Sequence, residues 1–246
     1  MKFPNRLVLS AMAGINDADF CLNQSAGLVI LGGFNIDKKS ITAARNVIKR
    51  GRREFIYENP LDFIHGQLEK IKKRKKFAVN ARGFELQAFV DLAKLVDDYG
   101  GILEVNAHCR QPEFIASKCG EWLLFNLDHL LGIVEYVSKF VITSVKIRGG
   151  YRLDYKKISE SLFRAGAHII HIDAMIPKGR CNYSLVSEVS KFGFTIGNNS
   201  FVDIQSGEKM IFSGASMASA ARAVLKDPRF FEKMLESKIL SQPVEL

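Results

Sequence analysis

The sequence predicts one α/β domain over residues 1–246, built as a (β/α)8 TIM barrel. Three observations carry that expectation. Short apolar runs alternate with longer amphipathic segments, the signature of parallel strands joined by crossover helices. The length of 246 residues is close to the roughly 250 of a complete barrel. Polar residues stand at the C-terminal ends of successive strands, where a barrel gathers its reactive groups.

The elements follow in order. LVL at 7–9 opens the chain, and LVIL at 28–31 follows a short polar helix pattern. FAV at 77–79, ILEV at 102–105, VITSVKI at 141–147, IIHI at 169–172 and FTI at 194–196 complete seven strands. Each is rich in Val, Ile or Phe and bounded by Gly, Asn or charged residues, as buried strands are. Residues 85–99, 127–140 and 155–165 have apolar positions at helical spacing. The first of these ends at Gly100-Gly101 and the third at Gly166, which are C-terminal stop signals. Strand, helix, strand implies right-handed parallel crossovers. An eighth strand near 217–220 reads as helix by propensity alone. Without it, a doubly wound open sheet is the alternative fold.

With 47% hydrophobic residues the chain can bury one large core. No run of 18 apolar residues exists, so no membrane-crossing helix is expected. The opening MKFPNRLVLSAMAG lacks the layout of a signal peptide, because its short apolar stretch runs straight into a strand. A soluble cytoplasmic protein without a membrane partner is expected. The four cysteines, Cys21, Cys109, Cys119 and Cys181, form no CxxC pair, which argues against zinc or a thioredoxin-type centre. The net charge of +9 favours anionic partners, nucleic acid among them. The excess is dense at Lys70, Lys72, Lys73, Arg74, Lys75 and Lys76, and again at Arg50, Arg52 and Arg53. A solvated helix end is the plainer explanation of the first cluster, which sits just before a strand.

The strand ends are polar throughout. They read Ser10 to Gly14, Asn80 to Gly83, Asn106 to Cys109, Lys146 to Arg148, His171 to Asp173, and Gly197 to Ser200. Alternation puts Lys146 and Arg148 on one face of their strand, and His171 and Asp173 on one face of the next. A lysine buried inside a barrel requires an anionic partner.

These segments resemble, in order, the motifs of the tRNA-dihydrouridine synthases. SAMAGINDADF (10–20) is similar to their opening APMAGVTD-type motif, and EVNAHCRQP (104–112) to their Asn-x-Gly-Cys-Pro. SVKIRGG (144–150) resembles their Val-Lys-x-Arg, AGAHIIHIDA (165–174) their AGAD…VHGRT, and TIGNNSF (195–201) their Val-Ile-Gly-Asn-Gly-Asp. GASMASAARAVLKDPRFF (214–231) resembles their strand-eight segment, and it alone places an eighth strand. The resemblance runs from about Arg6 to Phe231.

It implies FMN lying across the barrel mouth, with NADPH as electron donor. In that family a hydride passes to C6 of uracil and a cysteine thiol gives C5 its proton. Cys109 matches the proton donor. Lys146 matches the lysine at the flavin's pyrimidine edge, and Asn80 stands where the family has a Gln on that edge. Asn106 falls near flavin and substrate, and Ala11 and Met12 fall where the family's Pro-Met passes behind the ring. Asn198, Ala221 and Arg222 match the phosphate end, where loops after strands seven and eight hold the anion.

The departures are specific. His108 and Arg110 replace the Gly and Pro flanking the cysteine, and Asn199 and Ser200 replace Gly-Asp. Asp173 aligns with the family's strand-six His. A carboxylate there repels a nearby phosphate, and His171, on the same strand face, is the candidate to take over. About 15 residues follow Phe231, where the family carries a helical domain that grips tRNA. Three functions follow: reduction of uridine in tRNA, flavin oxidoreduction of a small pyrimidine-like molecule as in the related dihydroorotate dehydrogenases, or a non-redox phosphate-binding barrel.

Overall fold

Nearly every strand residue is buried, because one face of each strand looks into the barrel and the other meets a layer of helices. The computed structural model describes residues 1–176 and 179–246. Its strands are β1 (Leu7–Leu9), β2 (Leu28–Asn35), β3 (Phe77–Arg82), β4 (Ile102–Ala107), β5 (Ile142–Arg148), β6 (Ile169–Asp173), β7 (Thr195–Asn198) and β8 (Met217–Ala220). All pair in parallel with the next, and β8 returns to β1 through Ala218↔Leu7 and Ala220↔Leu9. Closure removes the open-sheet alternative.

The eighth strand, MASA, is a strand against its own propensity. Edges of β7 and β1 lie on either side of it, and their backbone groups are satisfied only if it extends between them. Its small residues also fit the crowded wall.

The helices begin where short polar side chains cap free N–H groups. Asp37 and Ser40 form a reciprocal capping box at Lys38–Lys49, and Asp203 and Ser206 do the same at Ile204–Phe212. Asn59 caps Pro60–Ile71, with proline in the first turn, where its missing N–H costs nothing. Two helices therefore follow β2. The residues between them, 50–59, pass over the C-terminal end of the barrel. There Tyr57 Oη donates to Asn35 O at 3.0 Å, and Glu54 reaches Arg82.

At the opposite end, Lys2–Phe3 pairs antiparallel with Val244–Glu245, and the wholly buried Phe3 packs beside Phe194. This ribbon closes the floor. The lysine-rich run 72–76 also lies at that end, since it leads directly into β3 and Lys75 Nζ donates to Gln24 O ahead of β2. Lys70 pairs with Asp19 and Lys72 with Glu69, each at 2.6 Å. The structure thus puts this cluster on the far side from the mouth, part-neutralised. No helix among the described residues is long and apolar enough to cross a membrane.

Candidate active site

Strand alternation divides the barrel interior into two storeys. Val8, Leu28, Ile30, Ala78, Ile102, Ile169, Ile196 and Met217 form one apolar cluster near the floor. Two residues further along each strand the same parity brings polar groups inward: Ser10, Asn80, Glu104, His171, Asn198 and Ser219. β5 adds Ser144, Lys146 and Arg148. The bond from Lys146 Nζ on β5 to Ser10 Oγ on β1 crosses the barrel, so these side chains share one interior.

They form one network. Asn106 Nδ2 donates to Asn80 Oδ1 at 2.8 Å, and Asn80 Nδ2 donates to Glu104 Oε1 at 2.6 Å. Glu104 Oε2 lies 2.7 Å from His171 Nδ1, and His171 Nε2 lies 2.8 Å from Ser219 Oγ. Asn198 Nδ2 then donates to Ser219 Oγ at 2.7 Å and to Ser10 Oγ at 3.2 Å. An ionised Glu104 only accepts, which fixes the His171 proton on Nδ1 and leaves Nε2 to accept from Ser219.

Burial raises the Glu104 carboxyl, but His171, Lys146 and Asn80 outweigh it and hold the group at about 2. His171 and Lys146 are both lowered, first by burial. Glu104 opposes that fall in each. We take Glu104 as ionised, Lys146 as its countercharge, and His171 as neutral. A carboxylate and an ammonium stabilise each other in this interior, whereas a second cation on His171 would face Lys146.

Above this storey, at the mouth, His108 Nε2, Asp173 Oδ2 and Arg148 Nη1 form a triangle with sides of 2.5, 2.9 and 3.1 Å. Asn199 Nδ2 donates to Asp173 Oδ1 at 2.8 Å. Burial raises the Asp173 carboxyl, but His108, Asn199 and Arg148 together drive it well below the usual range. The carboxylate is therefore engaged by its neighbours, which answers the repulsion expected of it. Asn199 and Ser200 have φ of 106° and 55°. That left-handed backbone explains a glycine at the first of these positions in the resembling family.

Asn106 ties the two storeys to the cysteine loop. Its Oδ1 accepts from His108 N at 3.1 Å and Cys109 N at 2.9 Å, and it sits opposite Lys146 in the β4–β5 register. Cys109 is partly exposed, and Arg82 Nη1 reaches its Sγ at 3.6 Å. Arg82 is also paired with Glu54, the two side chains being 2% and 4% exposed.

The structure therefore brings Asn80, Asn106, Lys146, His171 and Asn198 into one network, with Cys109 attached through Asn106. Met12 is buried and Ala11 partly buried at the end of β1. Ala221 and the exposed Arg222 follow β8 on the rim. His171 requires a correction. It is 0% exposed and bonded on both ring nitrogens, so it is shut away from any substrate and supports the site from below. Asn80 is likewise wholly buried, its amide engaged by Glu104 and Asn106. Sequence reasoning gave no site role to Glu104, Ser219 and Glu54, and listed Ser10 and Arg82 only among the polar strand ends. Glu104 had a signal, a carboxylate at an inward position of a buried strand. Glu54 had none.

The site makes a pH prediction. Burial, with Lys146 and Arg148, lowers His108 from 6.5 to about 4, against the pull of Asp173. A base depressed in the folded state binds its proton more readily when unfolded, so its contribution is full above 6.5 and is lost as pH falls toward 4. Thermal unfolding is expected to show falling stability across that window, at up to about 1.4 kcal/mol for each unit of depression. His108→Gln should flatten part of the slope. An unchanged slope would remove His108 as its source.

Fold and site together define a closed parallel barrel with a polar, charged mouth. No family model matches the chain. The uncharacterised protein MJ0144 of Methanocaldococcus jannaschii is 28% identical over 240 residues, covering 92% of this chain and 91% of that protein. Ligand-free DHODH from Eimeria tenella superposes with a TM-score of 0.68 at 15% identity, covering 96% of this chain and 86% of that one. DHODH from Eimeria tenella in complex with ferulenol gives 0.65 at 16%, covering 94% and 79%. FabK from Thermotoga maritima gives 0.59 at 14% identity over 91% of this chain, which spans 60% of that chain's length. At such identities the shared property is the barrel.

Proposed function

We propose that the protein is an FMN-dependent oxidoreductase that reduces the C5–C6 bond of uridine in tRNA, with NADPH as electron donor. The carrying observation is Asn106, which pins the Cys109 loop while standing opposite Lys146 across the β4–β5 ladder. In this reading Asn106 links the proton donor, Cys109, to the cation for a heterocyclic edge, Lys146.

The residues present fit a flavin. Lys146 is 4% exposed, yet among the described residues it makes one hydrogen bond, to Ser10, with three N–H groups to offer. Arg148 Nε is buried without a partner among the described residues. This donor set suits an electron-rich heterocycle whose reduced form is anionic.

The chemistry FMN supplies at such a mouth is hydride transfer. Lys146 would hold the pyrimidine edge, and Ala11 and Met12 would line the back of the ring. Asn198, Ala221 and Arg222 would face the phosphate. Cys109 Sγ would hold the proton destined for C5. RNA as the substrate is supported by exposed Arg52, Arg53, Arg110 and Arg152, which lie on loops around the mouth and make no ion pair among the described residues. Unpaired arginines ringing one opening suit a polyphosphate backbone.

The test is to load the protein with FMN, add NADPH and an unmodified tRNA transcript, and measure dihydrouridine by mass spectrometry. Formation of dihydrouridine is expected. Flavin reduced by NADPH but reoxidised only by a small pyrimidine would favour the small-molecule reading, for which Arg82 and Arg148 near the mouth offer charge.

A further inference from the structure

A buried ion pair stands beside the candidate proton donor and has no part in the network below. Arg82 closes β3. Its Nη2 donates to Gly33 O at 2.8 Å and to Glu54, and its Nη1 donates to Glu54 Oε1 at 3.0 Å and reaches Cys109 Sγ at 3.6 Å. The guanidinium stacks 4.0 Å from the Phe114 ring, and its Nε has no partner among the described residues. Glu54 comes from the segment 50–59 that crosses the mouth, so a loop far away in sequence supplies the countercharge.

A buried arginine–carboxylate pair is a costly way to fix a loop, since apolar residues of similar volume would do as well or better. Its position against a sulfur supplies another use. We propose that Arg82 is a positioning residue that compensates the charge of the Cys109 thiolate, and that Glu54 sets how much of that cation the sulfur feels. In the thiol state Glu54 balances Arg82. When the S–H bond of Cys109 breaks, the proton passes to C5 of the base and the electron pair stays on sulfur. The hydride for C6 would be supplied by reduced flavin when it is bound, so that reduction of the base balances oxidation of the flavin. The new thiolate then shares Arg82 with Glu54 until a solvent proton restores the thiol. This use in catalysis rests on the function proposed above; the effect on the thiol does not.

Other groups face this sulfur. Cys119 is coupled to Cys109 and to Arg82, with Asp37 and Lys39 acting on it from the start of the helix Lys38–Lys49. Glu121 N donates to Cys109 O at 2.9 Å, and His108 and Arg110 flank it in the chain. Tyr57 lies near both Arg82 and Glu54, its hydroxyl pushed up chiefly by burial. None of these changes in the variants below.

The experiment is alkylation of the flavin-free protein with iodoacetamide across pH, read for the Cys109 peptide by mass spectrometry. Burial pushes Cys119 up to about 12 and Cys181 up to about 11, and raises Cys21 as well, so the peptide readout keeps each of them apart from Cys109. Glu54→Gln frees the cation and should move the Cys109 profile to lower pH, giving about tenfold faster alkylation at neutral pH for a shift of one unit. Arg82→Gln should move it the other way, and Arg82→Lys should restore most of the parent profile. A purely structural pair would make both single variants shift in the same direction, or neither, and either result overturns the proposal. If Arg82→Gln does not fold, Glu54→Gln decides alone, with an unchanged or slower rate counting against it. No flavin enters the assay, so a failure here and a failure to bind FMN are separate results.

Discussion

Cys109→Ala is expected to leave reduction of bound flavin by NADPH at the parent rate and to slow reduction of the pyrimidine by roughly 10²–10⁴-fold, the usual worth of a positioned general acid. The asymmetry follows from the geometry. The Cys109 backbone is tied to the polar network through Asn106, whose Oδ1 accepts from the Cys109 N–H. Alanine keeps that N–H, so the loop keeps its anchor. What is lost is the sulfur, the proposed proton source, with its contact to Arg82. Stopped-flow absorbance separates the two half-reactions. Equal rates for variant and parent in the second half would take Cys109 out of the chemistry.

Glu104→Gln is expected to destabilise the fold by about 3–5 kcal/mol, the cost of leaving the buried Lys146 without the opposite charge that offsets it through the interior. For a chain of this size that corresponds to a fall in Tm of roughly 6–20 °C. Glu104, His171 and Lys146 are 0%, 0% and 4% exposed, so water cannot replace the lost carboxylate. A neutral amide also upsets proton order. Its N–H directed at His171 Nδ1 drives the ring proton to Nε2, which then donates to a Ser219 oxygen already accepting from Asn198. The Ser219 hydroxyl hydrogen loses its acceptor, and a buried unsatisfied donor costs about 1–3 kcal/mol. The pair Glu104→Leu with Lys146→Met should cost less than the sum of the single changes, because neither charge is left alone. Calorimetric unfolding of the four proteins checks this, and additive losses would show that the two charges do not interact.

The part of the molecule written in local pattern was legible in the sequence. Short apolar runs marked seven strands, and alternation put Lys146 with Arg148 and His171 with Asp173 on shared faces; the structure joins Lys146 to Ser10 beyond β1 and His171 to Ser219 on β8. Strand eight was not legible from MASA itself. Its extension is imposed by two neighbours that exist only once the barrel closes. Glu104 could have been found by asking which carboxylate answers a buried lysine. The Arg82–Glu54 pair could not, since it depends on how residues 50–59 cross the mouth. The basic run at 70–76 shows the converse error. Charge density alone suggested an anionic partner, while the plainer reading, a helix end just before a strand, agrees with β3 starting immediately after it.

One mouth, with Lys146 at its base, is proposed to hold a flavin. Titration of the purified protein with FMN, followed by quenching of flavin fluorescence, tests it directly. Saturation at one flavin per chain, weakened at least about tenfold by Lys146→Met, a loss of about 1.4 kcal/mol, is the predicted result. Fluorescence that stays that of free FMN throughout the titration, or parent and variant binding alike, would contradict it.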